Sequence, residues 1–121
     1  MLIRPGASAS AVKADPRWLA NRSFIAQDSA GRLIVGTTKD AFFSLDRFAA
    51  FLRAAALDLV LALNLDGGSI ACQGVSIGGY MRQFCGDWET RTDNGDIKLL
   101  RPLLGSPRRR ALPNVLAVIA R

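Results

Sequence analysis

The chain has 121 residues, half of them hydrophobic, with 16 lysines and arginines against 10 acids and a formal net charge of +6. That length allows one domain with a real core. The positive balance favours anionic partners such as phosphates, nucleic acid or acidic glycans, although an arginine-rich genome leaves the same imprint. Histidine is absent, which excludes Ser-His-Asp and Cys-His catalysis and any His-ligated metal. Acid–base work therefore falls to the aspartates, to Glu89 as the only glutamate, or to water.

Residues 1–21 read as a loose lead-in and 22–121 as a single domain. The first fifteen residues are rich in Ala, Ser and Gly without a clear period, and Pro16, Arg17 and Trp18 are placed to pin their end to the body. The opening MLIRPGASAS lacks the long apolar centre of a signal peptide. No apolar run reaches the length of a spanning helix. A soluble chain without an export signal is the expectation.

Residues 22–27 (RSFIAQ) read as a strand, 28–31 (DSAG) as a turn, and 32–38 (RLIVGTT) as a second strand, together an antiparallel hairpin. Arg22 opens the first strand, where its side chain either faces a cleft or is simply solvated. Residues 44–56 form the best helix. Leu45, Phe48, Ala49, Leu52, Ala55 and Ala56 share one helical face, and Asp46, Arg47 and Arg53 fall away from it. Ser44 is a natural N-cap, and Asp46 suits the helix dipole. Phe42, Phe43 and Phe51 read as core packing.

Residues 59–69 (LVLALNLDGGS) are the most informative stretch. A continuous apolar run reads as a strand buried on both faces, and it stops at Asp66, Gly67 and Gly68. A rigid strand that ends in a carboxylate and two glycines presents an acid where the backbone bends and a ligand can approach; Asp-Gly is equally a plain turn signal. Strand, helix and strand make a crossover, which predicts strand 59–65 in the centre of the sheet and parallel to a neighbour. The fold class expected is α/β or α+β: one mixed sheet with one core-packed helix ahead of its central buried strand.

Residues 69–75 (SIACQGV) suggest a further short strand before the Gly78-Gly79 turn. Cys72 and Cys85 flank that turn at a spacing unlike a zinc or thioredoxin site; a single disulfide and two buried thiols are both open. Residues 86–113 are mixed and polar and read as a long surface excursion over a site. Asp93, Asn94 and Asp96 resemble a calcium loop only faintly, because Gly95 precedes Asp96 and no acid follows at the required distance. Arg108, Arg109 and Arg110 are the densest positive patch, and 115–119 (VLAVI) reads as a final buried strand. No cofactor or metal is called for.

The order of these pieces resembles the phosphodiester glycosidase domain family, whose members include an enzyme that removes N-acetylglucosamine from a phosphodiester on mannose. Three segments carry the likeness. Arg22-Ser23-Phe24-Ile25-Ala26 with its acidic-Gly turn is similar to the family's Arg-(Thr/Ser)-Ala-Ile-Gly strand. The helix followed by Ala62-Leu63-Asn64-Leu65-Asp66-Gly67-Gly68-Ser69 resembles the signature Asn-Leu-Asp-Gly-Gly-Gly-Ser, one glycine short. Arg110-Ala111-Leu112-Pro113-Asn114 and the apolar run after it resemble the closing arginine and strand. By this pattern the chain resembles roughly the C-terminal two-thirds of such a domain.

The resemblance implies a glycoside hydrolase that cuts a sugar-1-phosphodiester and leaves a phosphate monoester. A phosphate leaving group is already a weak base, so it needs positive charge more than a proton, together with a carboxylate near the oxocarbenium-like carbon. Asp66 is then nucleophile, base or electrostatic stabiliser. Arg22 and Arg110 clamp the phosphate. Asn64 and the backbone of Gly67, Gly68 and Ser69 hold sugar or phosphate oxygens. Asp28, Asp87 and Glu89 are candidates for a second carboxylate, and a more N-terminal part of such a domain is an equal candidate. A non-catalytic module that binds phosphosugars or anionic glycans is the first alternative. Nucleic-acid binding through residues 108–110 ranks lower, because no stacking aromatics accompany the basic run. An incomplete sheet edge predicts homo-oligomers, and the family points to a location outside the cytoplasm.

Overall fold

The computed structural model describes residues 1–5, 15–68, 71–86, 88–100 and 116–119. Within them lie eight strands and one helix, an α+β arrangement dominated by strands. The expected hairpin is present as β2 (Arg22–Asp28) and β3 (Leu33–Thr37), preceded by a short β1 (Trp18–Ala20). Asp28 closes it: its carboxylate accepts the backbone N–H of Ala30 at 3.0 Å and of Arg32 at 2.8 Å, and the Arg32 side-chain Nε at 2.6 Å.

Helix α1 spans Leu45–Ala54 and buries Phe48, Ala49 and Leu52, the face that the periodicity marks. Ser44 occupies the N-cap position, but its hydroxyl makes no capping bond. Phe24 meets Phe48 edge-on at 5.6 Å, and with Leu2, Ala26 and Ala62 these residues make the core. Phe43 packs against that core, but Phe42 is 63% exposed and Phe51 50%. Half-exposed Phe51 still lays its ring against Phe43 at 5.3 Å and against Phe48 at 6.5 Å, so of the three phenylalanines expected as core packing it is Phe42 that falls away.

Strand β4 (Leu59–Gly67) follows the helix, and here the expectation of a central parallel strand is corrected. The sheet order is β3-β2-β4, and β4 is antiparallel to β2. Both β3 and β4 oppose β2, so they run in the same direction, as a crossover requires. β2 lies between them and takes the central place. Nor is β4 buried on both faces. Ala62 packs into the core, whereas Val60, Leu63 and Leu65 are each more than a third exposed. On that outer side Ile25, Leu33, Leu61 and Leu63 line an apolar concavity of about 160 Å³. The far edge of β4 is met by the start of the chain, read above as a lead-in. The N–H groups of Leu2 and Ile3 donate to the Ala62 carbonyl at 2.8 and 3.1 Å, and Leu2 is buried.

The second half is richer in strands than expected. β5 (Cys72–Ile77) and β6 (Tyr80–Cys85) form a hairpin about Gly78-Gly79, and Cys72 and Cys85, directly opposite each other, form a disulfide at its base. The supposed polar excursion is, in its described part, another hairpin: β7 (Glu89–Asp93) and β8 (Asp96–Leu100). Asn94 and Gly95 turn it with φ of 49° and 88°, the two positive values of a type I′ turn. β1, β7 and β8 make the second sheet in that order. Residues 116–119, expected in a final buried strand, have no strand partner among the described residues, and Leu116, Val118 and Ile119 are exposed. The basic run 108–110 lies outside the described residues. Among the described residues no helix is long and apolar enough to cross a membrane.

Candidate active site

The two larger sheets are joined by one residue. β1 belongs to one and β2 to the other, and Asn21 is the step between them. The end of β4 is anchored at this step. Gly67 pairs with Arg22, and the Gly68 N–H donates to the Asn21 carbonyl at 3.1 Å. Just before this pair β4 holds one residue more than β2: Phe24 faces Asn64 and Arg22 faces Gly67, so Leu65 and Asp66 together oppose Ser23. Such a bulge ends the regular pairing and redirects the strand, and bulges are frequent beside active sites. Asp66 is thus the last residue before the pinned turn.

Close approach explains both glycines. A Cβ on Gly67 would lie 2.7 Å from the Asn21 carbonyl oxygen and 3.4 Å from Arg22 Nη1. A Cβ on Gly68 would lie 2.9–3.1 Å from the carboxylate of Glu89, and its φ of 79° is itself costly for any residue with a side chain. The Asn21 side chain is 1% exposed and touches Gly86 closely. Its Nδ2 reaches the Ala71 carbonyl at 3.5 Å, and its Oδ1 has no hydrogen-bond partner among the described residues. The Gly86 N–H bonds the same Ala71 carbonyl at 2.8 Å, immediately beside the disulfide.

Arg22 is neither solvated nor splayed into a cleft; it is 8% exposed. Its Nε donates to the Phe43 carbonyl at 3.0 Å and Nη2 to that of Trp18 at 3.4 Å. Two of its five N–H groups are therefore committed to main chain. Burial pushes this guanidinium below its ordinary range, and the negative Glu89 acts in the opposite direction. Glu89, at the start of β7, is half-buried, and the Trp18 indole Nε1–H donates to its Oε2 at 2.6 Å.

Of the residues that the sequence nominated, the fold gathers Arg22, Gly67, Gly68 and the backbone of Asp66 at one end of the β2–β4 pair. Asn64 lies on the same strand just before the bulge; its amide donates to the Leu65 carbonyl, and its Oδ1 is buried without a partner among the described residues. The Gly68 N–H is committed to Asn21, which corrects its assignment as an oxygen-binding donor. Ser69, Asp87 and Arg110 lie outside the described residues. Asp28 is at the opposite end of β2, about 20 Å away at ~3.3 Å per residue, and is consumed by its own turn. Asn21 and Trp18 were not nominated. Their contacts are to partners remote in sequence, and no local pattern announces them.

The comparison with family models gives a match to the phosphodiester glycosidase domain over residues 1–119. The chain belongs to the phosphodiester glycosidase family. Searches of curated proteins and of solved structures each returned no match. The family match includes the first residues, which the fold ties to β4, and the β7 strand that carries Glu89. In this phosphodiester glycosidase domain the bulged Asp66-Gly67-Gly68 end is the place where opposite charges from two sheets meet.

Proposed function

We propose that the chain hydrolyses the bond between a sugar's anomeric carbon and a phosphodiester, such as an N-acetylglucosamine-1-phospho linkage, and releases a phosphate monoester. The observation that carries this reading is the setting of the Asp66-Gly67-Gly68 segment in a family member: a bulged strand end beside the fixed charges of Arg22 and Glu89. Asp66 supplies the carboxylate for the oxocarbenium-like carbon. Arg22 contributes a fixed positive charge, and Arg110 contributes the second phosphate contact. Asn64 and Ser69 serve sugar or phosphate oxygens. The Cys72–Cys85 disulfide supports work in an oxidising compartment. The exposed apolar outer face of the β3-β2-β4 sheet supports self-association, and light scattering showing only monomer would remove that part.

The test is to incubate the folded chain with an N-acetylglucosamine-1-phosphodiester and measure released sugar, beside Asp66→Asn and Arg110→Ala. Turnover by the wild type that Asp66→Asn abolishes supports the reading. A folded wild type that binds the phosphosugar without releasing anything replaces it with a binding module.

A further inference from the structure

We infer that Glu89 is the base of this site and takes the proton from the water that completes hydrolysis. The inference rests on the glycosidase reading above. Of the three acids that could supply a second carboxylate, Asp28 is held at the far end of β2 and Asp87 lies outside the described residues. Of the two that the structure describes, Glu89 is the one beside the glycine turn, with its carboxylate 2.9–3.1 Å from where a Gly68 Cβ would stand. Two features define its setting. The Trp18 indole, a donor that cannot accept, fixes Oε2 at 2.6 Å. The adjacent Gly67 brings in the buried Arg22, whose Nη1 lies 3.4 Å from where a Gly67 Cβ would stand, so the two opposite charges face neighbouring glycines. A carboxylate oriented, among the described residues, by one donor and close to glycine backbone suits proton acceptance, since the base must reach the attacking water.

The chemistry gives such a group a task. The phosphate monoester departs as an anion with the electron pair of the broken bond, and it takes no proton. The water must lose one. In a single displacement the water oxygen bonds the anomeric carbon as the carbon–oxygen bond to phosphate breaks. In a double displacement it attacks a glycosyl ester on Asp66, and the electron pair of that bond returns to the Asp66 carboxylate. On either route one water proton passes to Glu89 and then to solvent. The products are the free sugar and the phosphate monoester.

The experiment measures sugar release by the full chain and by Glu89→Gln, Glu89→Ala and Glu89→Asp, with thermal unfolding of each. Glu89→Gln keeps an acceptor for the indole, so the fold holds, while kcat falls roughly 10²- to 10⁴-fold with KM little changed. Azide, which attacks without losing a proton, restores turnover to Glu89→Ala and yields the glycosyl azide; it does nothing for Asp66→Asn. Glu89→Asp, its carboxylate drawn back by one methylene, turns over more slowly than the wild type. Full activity in Glu89→Gln or Glu89→Asp, or a Glu89→Ala variant that azide leaves dead, overturns the inference and leaves the glycosidase reading intact. A folded wild type that releases no sugar overturns both.

Discussion

Strand β2 has a buried charge at each end, and the two ends are satisfied in opposite ways. At its finish Asp28 takes three donors from Ala30 and Arg32, all within four residues. That carboxylate is a fastener for its own turn. At its start Arg22 is surrounded by groups from far along the chain: Gly67 on β4, Phe43 ahead of the helix, Glu89 on β7. Polar atoms there remain without partners among the described residues, Oδ1 of Asn21 and of Asn64. A buried polar atom without a partner costs about 1–3 kcal/mol. Both ends contain an acid–glycine turn, yet only the second combines long-range assembly with polar capacity to spare, as a site requires.

Substitutions can break this contrast. Asp66→Asn should have the largest effect, a loss of sugar release of about 10³-fold or more with the unfolding midpoint nearly unchanged. Gly68→Ala comes next. It meets both the left-handed backbone and the Glu89 carboxylate, so release should fall on the order of 10²-fold and stability by about 1–2 kcal/mol. Joint replacement of Cys72 and Cys85 by serine frees the hairpin base next to Asn21 and Gly86. Closing a loop of this size is worth about 3 kcal/mol. Limited proteolysis should then cut the β5–β6 hairpin, with a smaller loss of turnover, roughly 10-fold.

The Asp28 end should answer only in stability. Asp28→Ala should lower the unfolding midpoint by roughly 10 °C and leave sugar release per folded chain unchanged. The smallest effect is in pH. The Arg32 backbone N–H and side chain hold the Asp28 carboxyl below its ordinary range, so the unfolded chain binds that proton more readily than the folded one. The stabilisation is complete above the ordinary aspartate value near 3.9 and is lost as pH falls below it. Acid melts of Asp28→Asn should therefore be flatter than those of the wild type in that range. An Asp28 variant that lost turnover while folded would erase the distinction between the two ends.

The sequence revealed the parts of the fold whose signals are local. The β2–β3 hairpin follows from apolar strands around Asp28 and Gly31, and α1 from the spacing of Phe48, Ala49 and Leu52. β7 and β8 were not legible, because Glu89, Thr90, Arg91 and Thr92 offer no apolar alternation and β8 is exposed along its length. The direction of β4 was misjudged because a crossover fixes it relative to β3 and says nothing of a strand inserted between them. Of the site, Asp66 and the two glycines were visible as a motif. The burial of Arg22 was not, since its partners are main-chain carbonyls that any residue could offer. The pairing of Glu89 with Trp18 spans 71 positions, and no spacing rule reaches that far.

The chain has two tryptophans, and one of them bonds the Glu89 carboxylate directly. Trp18 donates to Glu89 and is 46% exposed, while Trp88 precedes it and meets Phe42 edge-on at 6.0 Å. Part of the intrinsic fluorescence of the protein, that of Trp18, therefore originates beside the candidate site. A ligand that displaces the indole from Glu89 changes the emission without any label, and titration with a phosphosugar becomes an optical measurement on the native chain.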